Sequence, residues 1–313
     1  MWSTFLRRLI LAVPTLWAII TICFFLMRLT PGGPFDSDAP VPEEILANLR
    51  ARYHLDEPLW QQYLSYLGNL LHWDFGPSFK YRDFTVTALI AQGFPVSLQN
   101  GACALILAII IGVPLGIAAA LAQNSPRDYA ISAVAMTGIV IPNFVMGQLL
   151  ILVFGVLLKD SVLHLPAGGW DNGALANRIL PVFCLALPYV AYIARIMRGS
   201  MIETLRTNYV RTARAKGLSS SAVILHHALK SALMPVVTFL GPATAFLLTG
   251  SMVVETIFQI PGIGRYFVQG ALNRDYTLVM GVTILSAALI IAMNLVVDLI
   301  YGLLDPKVRY DGE

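Results

Sequence analysis

The sequence predicts an all-α membrane protein with six transmembrane helices. Hydrophobic residues make up 57% of the 313 positions and charged residues only 12%, about half of the charged share in a typical soluble protein. A chain of this composition cannot cover its surface with polar groups, so most of its exterior must face lipid. Six runs without charged residues each approach the roughly 20 residues that cross a bilayer, and they are residues 9–27, 101–121, 130–158, 179–194, 235–254 and 276–297.

The first run is predicted to be an N-terminal membrane anchor, residues 1–28. Arg7 and Arg8 precede it, as basic residues precede a secretory signal peptide. The run is longer than the hydrophobic part of a signal peptide, which has about 7–15 residues, and no small-x-small cleavage site follows it. We therefore expect an anchor that is not cleaved.

Residues 29–94 are predicted to form an insertion outside the membrane, between the first two spans. Two patches within it have helical character, residues 43–52 behind Pro42 and residues 59–71. The second patch carries one apolar stripe, formed by Leu59, Tyr63, Tyr66, Leu67 and Leu70. The insertion either caps the spans or contacts a partner, and the sequence favours neither.

Spans two to five contain many helix-breaking and small residues. The prolines in or beside them are Pro114, Pro142, Pro181, Pro188, Pro235 and Pro242, and the glycines are Gly112, Gly116, Gly138 and Gly147. Any one proline is compatible with ordinary packing, but six together predict a kinked bundle with an internal cavity. The glycines allow helices to approach closely.

The charge distribution predicts that both termini are cytoplasmic. Short loops on that side then carry most of the basic residues, as the positive-inside rule requires. The five-helix core is predicted to span residues 95–313, and its polar segment, residues 201–234, lies in the cytoplasm in this topology.

The polar segment predicts a short helix over residues 209–216 that ends at Gly217. Val210, Ala213 and Gly217 form a narrow face of small side chains, and Arg211 and Arg214 flank it. A small face with basic edges can enter a cleft on another protein. Binding of the basic residues to anionic lipid is the alternative.

Signatures of enzymes and of metal sites are absent from the sequence. It contains no phosphate-binding P-loop, no H-E-x-x-H and no G-x-S-x-G motif. Cys23, Cys103 and Cys184 lie in apolar runs, and no histidine has ligand spacing. We therefore predict no catalytic, cofactor-binding or metal-binding residues and no nucleic-acid partner.

The polar segment resembles the coupling loop of ABC-importer permeases. In that pattern Glu-Ala-Ala is followed after three residues by Gly, and after nine more by Ile-x-Leu-Pro. Ala213, Gly217 and Leu229 match it, whereas Arg211, His227 and Lys230 stand where the pattern has Glu, Ile and Pro.

The string from Tyr209 to Leu218 is similar instead to the peptide/nickel branch of these permeases. Further similar stretches extend nearly end to end: residues 5–9, 28–35, 53–56, 74–78, 194–203, 255–264 and 305–310. In detail the chain most resembles the B-type permease of bacterial oligopeptide importers.

This resemblance implies a type I ABC-importer permease fold in the bacterial inner membrane, with the insertion in the periplasm. The chain would form half of a pathway for oligopeptides or dipeptides. A second homologous permease would form the other half, a periplasmic peptide-binding protein would deliver the cargo, and two cytoplasmic ATPase domains would bind the ATP.

Two groups of residues carry the expected function. The residues expected to couple the chain to the ATPase are Tyr209, Val210, Arg211, Thr212, Ala213, Arg214, Lys216, Gly217 and Leu229. Those expected at a periplasmic gate, or in contact with the binding protein, are Glu255, Phe258, Pro261, Gly262 and Gly264. The stretch that holds this second group is expected to bend back, because Pro261 and the glycines cannot continue a helix.

Other cargoes and mechanisms remain open at the level of sequence. Nickel chelates and murein peptides are alternative cargoes within the branch. A secondary transporter would need charged groups near the middle of the membrane, but the runs are nearly charge-free and Asp298 lies near the end of the last one. A membrane enzyme would need a catalytic constellation, which the sequence lacks.

Overall fold

The computed structural model describes residues 2–29, 55–81 and 83–304. The helical patch at residues 43–52 and the stretch at residues 305–310 lie outside the described residues. Apart from one isolated bridge between Pro77 and Thr85, the described chain consists of helices and loops.

Thirteen α-helices, numbered here in chain order, make up most of the described chain. They are α1 (Trp2–Leu29), α2 (Leu59–Leu71), α3 (Val86–Leu121), α4 (Pro126–Val140), α5 (Asn143–Leu150), α6 (Leu175–Leu205), α7 (Asn208–Ala215), α8 (Ser220–Ala222), α9 (Leu229–Ala232), α10 (Met234–Leu248), α11 (Met252–Ile257), α12 (Ile263–Leu272) and α13 (Tyr276–Leu304). Two π-helical segments, Ile151–Leu157 and Val223–Ala228, and one 3₁₀ turn, Asp171–Gly173, complete the set.

Five stretches of the described chain are long and apolar enough to cross a membrane, and a sixth exists if a bent pair counts as one span. The bent pair is the predicted third span. That span is not one straight helix, because α4 and the segment from Asn143 to Leu157 meet at 102°. Pro142 causes the break: it has no N–H to donate, and it holds Ile141 in an extended conformation.

The centre of the bundle is a close contact between α3 and α6, which run parallel along most of their lengths. Gly116 lies against the backbone of α6, where an added Cβ would be 2.6 Å from the carbonyl oxygen of Ala194. Gly138 brings α4 equally close to α6, with an added Cβ 2.5 Å from the carbonyl oxygen of Leu187. The predicted close approach of helices at these glycines is therefore confirmed.

A second core joins the insertion to the spans. Phe24 of α1, Tyr66 of α2 and Leu278 of α13 are buried together in it. The predicted helix over residues 59–71 is confirmed, and its stripe faces this core except at Leu59, which is exposed. The described part of the insertion thus packs on the spans.

Asp275, at the start of α13, fastens the insertion to the bundle. The side chain is fully buried. Its carboxylate accepts hydrogen bonds from the Ser78 hydroxyl group and from the backbone N–H groups of Phe79 and Lys80. The same carboxylate caps α13 by accepting from the N–H of Leu278 at 3.2 Å. One side chain therefore orders both a loop and a helix end.

We predict that Gly116→Ala destabilises the bundle by about 1–3 kcal/mol, because the new methyl group forces α3 away from α6. Gly199→Ala is the matched control: Gly199 lies inside α6 with no atom within 4 Å of an added Cβ. The control should be neutral or stabilise the protein by up to about 1 kcal/mol. Thermal unfolding of the purified protein in detergent measures both, and equal midpoints would contradict the close contact.

We also predict that Asp275→Asn speeds amide hydrogen exchange at Phe79 and Lys80 by about 10- to 100-fold, because hydrogen bonds to a charged acceptor are lost. The control is Asp74→Asn, which affects an exposed aspartate that accepts only from Gly76 N–H among the described contacts. Unchanged exchange in the Asp275 variant would show that the loop is held by other contacts.

Candidate functional site

The first predicted site is built on α7, the short helix that follows α6. The predicted helix is confirmed with bounds shifted by one residue, Asn208–Ala215, and Gly217 has the left-handed conformation expected after it, with φ of 79°. The N–H groups of Gly217 and Leu218 donate to the carbonyl oxygens of Arg214 and Ala213. This is the Schellman arrangement, which favours glycine at the left-handed position.

Two members of the small face, Val210 and Ala213, point into the chain, so they do not form the open surface expected to enter a cleft on a partner, whereas Gly217 is exposed. Val210 is completely buried and Ala213 is only 4% exposed. Both pack in the main core together with Val223, Ala228 and Ala232 of the following segment. Leu229 is half-buried against the same core. These residues hold the loop together and are not available for docking.

The opposite, basic face of α7 is the exposed one. The predicted coupling residues on it are Tyr209, Arg211, Thr212, Arg214 and Lys216, and Gly217, which follows the helix, is exposed as well. The Tyr209 hydroxyl group lies 3.1 Å from Ser231 Oγ, so it links α7 to the segment before α10. Ala215, Leu218 and Leu225 add exposed apolar area that the sequence analysis did not select. The open surface is therefore basic with apolar patches.

An ion pair joins α4 and α6 at the end of the bundle where α7 lies. Arg198 of α6 donates from Nε and Nη2 to the two carboxylate oxygens of Asp128 at 2.7 and 2.6 Å. Asp128 is 1% exposed and also accepts from the N–H of Asn124. The two-pronged geometry fixes the start of α4 against α6, which is the helix that carries α7.

The second predicted site is the turn between α11 and α12, at the other end of α3 and α6. The predicted reversal of the chain is present, since α12 packs back on α11 and α3. Glu255 accepts from Ser97 Oγ of α3 at 2.6 Å and from the N–H of Arg265 at 3.2 Å. Ser97 Oγ in turn accepts from the N–H of Ile263. A carboxylate and a hydroxyl group thus cap the positive end of α12.

Three glycines make room for the Glu255 carboxyl group. An added Cβ would lie 2.3 Å from Glu255 Cδ at Gly262 and 2.3 Å from Oε1 at Gly250. At Gly264 it would lie 2.9 Å from Glu255 Oε2 and 2.8 Å from the backbone nitrogen of Met252. Side chains at these positions would therefore expel the carboxylate from its donors.

The predicted gate residues are mostly inside the chain. Glu255, Phe258, Gly262 and Gly264 are buried and Pro261 is half-buried, and the carbonyl group of Phe258 accepts from the N–H of Gly169. Their role at a periplasmic gate or in contact with a binding protein therefore stays a prediction, and in this structure most of these side chains pack inside the chain. Exposed residues beside this site are Met252, Val253 and Thr256 of α11 and Gln259 of the turn.

Sequence reasoning missed the three buried acid contacts that shape these sites. Glu255 was selected without Ser97, and the partners of Asp128 and Asp275 were not identified. Each pair is separated by at least 70 residues, so no local pattern reveals it. Among the described residues, no group of three or more His, Cys, Asp or Glu side chains could hold a metal ion.

Comparison with known families identifies the class of protein. The family described as "Binding-protein-dependent transport system inner membrane component" matches residues 112–310. The chain belongs to this family. It is therefore a multi-pass component of an inner-membrane ABC importer, and a transport subunit rather than an enzyme.

Two relatives of known name are peptide-transport permeases. The chain is 55% identical to the oligopeptide transport system permease protein OppB of Salmonella typhimurium over 305 residues, which cover 97% of this chain and 98% of the relative. It is 44% identical to the dipeptide transport system permease protein DppB of Bacillus subtilis over 304 residues, 97% of each.

Solved structures support the fold at low sequence identity. The MetNI methionine ABC transporter in an inward-facing conformation matches with a TM-score of 0.58 at 17% identity, over 69% of this chain and 96% of that one. An amino acid ABC transporter matches with a TM-score of 0.50 at 19% identity, over 71% of this chain and 94% of that one. The type I ABC-importer permease fold expected from the sequence is confirmed.

Proposed function

We propose that this chain is the permease subunit that forms half of the pathway of an ATP-driven oligopeptide importer. The observation that carries the proposal is the 55% identity to a named oligopeptide permease over 97% of the chain. The weaker identity to a dipeptide permease supports peptides as the cargo class and favours oligopeptides within it. A second homologous permease, two ATPase domains and a peptide-binding protein complete the importer.

The proposed orientation has both termini in the cytoplasm. It places the exposed basic face of α7 inside, in agreement with the positive-inside rule. It also places the insertion and the turn between α11 and α12 in the periplasm, where the binding protein would dock. The proposed contact, in place of the buried gate residues, is formed by the exposed Met252, Val253 and Thr256 of α11 and Gln259 of the turn.

The exposed face of α7 is the proposed docking surface for the ATPase. Arg211, Arg214 and Lys216 give it positive charge, and Leu218 and Leu225 give it apolar area. The buried face has a separate part in coupling: Val210 and Ala213 share a core with Met197 and Met201 of α6. Because packed cores shift as units, a displacement of α7 by the ATPase would move the end of α6 with it.

We predict that Ala215→Trp prevents docking while the chain itself stays folded. Ala215 is exposed on α7, so a large side chain meets only the partner. Ala213→Trp is the matched variant on the buried face, and it should destabilise the loop itself by about 1–3 kcal/mol or more. Retention of the ATPase on the affinity-purified permease and thermal unfolding of the permease separate the two effects.

Charge reversal at Arg211 and Arg214 should weaken docking less than Ala215→Trp, because exposed ion pairs each contribute about 0–1 kcal/mol. Normal ATPase retention by the Ala215→Trp variant would exclude this face as the docking surface. Full loss on charge reversal alone would instead make it an electrostatic anchor.

We predict that a cysteine at Leu71 is labelled from outside intact cells by an impermeant thiol reagent and that a cysteine at Ser220 is not. Both positions are exposed, Leu71 by 83%, so differences in reactivity report the side of the membrane. Cys103, which is exposed, is replaced by alanine first. Labelling of the cysteine at position 220 alone would show that the orientation is the reverse of the proposed one. The face of α7 would then lie outside, where it could not dock the ATPase.

A further inference from the structure

Arg178 is a half-buried cation whose described partners are all neutral. Its Nε donates to Asn100 Oδ1 at 3.4 Å and its Nη2 to Cys103 Sγ at 3.3 Å. Its Cζ lies 5.6 Å from the ring centre of Trp170. The hydrogen bond to Asn100 is long and the other acceptor is a sulfur, so most N–H donors of the guanidinium group have no acceptor among the described contacts.

Arg178 lies at the start of α6, where a positive charge does not stabilise the helix. It is the fourth residue of α6, whose first residue is Leu175 and whose N-cap Ala174 offers no side-chain hydrogen bond. The start of a helix carries a partial positive charge, which disfavours a cation there. A cation, a helix start and no described carboxylate together create a positive potential that suits an anion.

Asn100 supplies a second unsatisfied donor at the same place. Its side chain is 2% exposed, and its Nδ2 has no hydrogen-bond partner in the described part of the chain. A buried donor without a partner costs free energy that a bound acceptor would recover. On the open side of α3, Gln99 and Cys103 lie one turn apart and are exposed, and a polar side chain on a spanning helix faces a water-filled space more readily than lipid.

We propose that Arg178 and Asn100, with the start of α6, bind a carboxylate of the transported peptide at the outer mouth of the pathway. The inference rests on the proposed function for its cargo and its orientation. The planar guanidinium group matches a carboxylate in two-pronged geometry, and Trp170 holds that plane in place.

The test uses Cys103 as a reporter in the full importer complex, reconstituted in vesicles without the binding protein. Modification of Cys103 by an anionic and a cationic methanethiosulfonate is quantified by mass spectrometry of the peptide that contains it. We expect Arg178→Gln to lower the ratio of the anionic to the cationic rate by about tenfold. The control Lys159→Gln removes an exposed cation outside α3 and α6 and should leave the ratio unchanged.

A second arm of the test identifies the ligand. An oligopeptide with a free carboxyl terminus should slow labelling of Cys103, whereas the same peptide as its carboxyl-terminal amide should not. In Arg178→Gln this discrimination should disappear. Arg178→Lys should restore part of it, because charge is kept and the planar fork is lost.

Three outcomes would overturn the inference: an unchanged rate ratio in Arg178→Gln, equal protection by acid and amide, or protection by added anionic phospholipid but not by peptide. A different result would show that the proposed function itself is wrong. The wild-type complex, with binding protein and ATP, would then import neither the free-acid peptide nor its amide. Equal protection by acid and amide in a wild-type complex that does import peptide would overturn this inference alone.

Discussion

The backbone contact between α3 and α6 determines where both functional ends of the chain lie. The two helices approach so closely at Gly116 that no side chain fits between them, and they remain in contact from Asn100 and Arg178 at one end to the start of the polar segment at the other. The α11–α12 turn is fastened to this pair through Ser97. The loop that carries α7 continues directly from α6 and packs on the same core. Because the pair is closely packed, a displacement at one end reaches the other without large internal rearrangement.

The inward orientation of Val210 and Ala213 changes how coupling by α7 is understood. A helix whose small face entered a partner would transmit force through its backbone alone. Here Val210 and Ala213 are fixed in the permease core, and the surface that stays open, which is the one proposed for the ATPase, is basic with exposed leucines. Force would therefore pass from the exposed face through packed side chains to Met197 and Met201. In this arrangement, small residues on α7 allow close packing within the permease itself.

The composition of the sequence and the spacing of its residues predicted most of the fold. The features that they did not predict depend on contacts between residues far apart in sequence. The charge-free runs, the helix at residues 59–71 and the left-handed Gly217 follow from local physics, and all are present. The direction of the small face on α7 could not be predicted, because small side chains suit a cleft on a partner and close packing within the chain equally well. Pro142 was identified as a helix-breaking residue, but its presence alone does not distinguish a kink from the 102° bend that the structure has there. Glu255 and Asp275 meet partners that no sequence window contains together.

The charged groups buried near the two ends follow one rule, and Arg178 departs from it. Glu255 and Asp275 are each surrounded by hydroxyl and N–H donors, and Asp128 is matched by Arg198 in two-pronged geometry. These acidic side chains can be buried because hydrogen-bond donors or an opposite charge contact each of them directly. Arg178 has an amide oxygen, a thiol and an indole ring as its described partners, and it lies at a helix start that repels it. The described contacts of Arg178 therefore include no group of opposite charge and no ring of donors like those around the three buried acids. The positive charge of Arg178 is therefore better explained by a ligand than by the architecture.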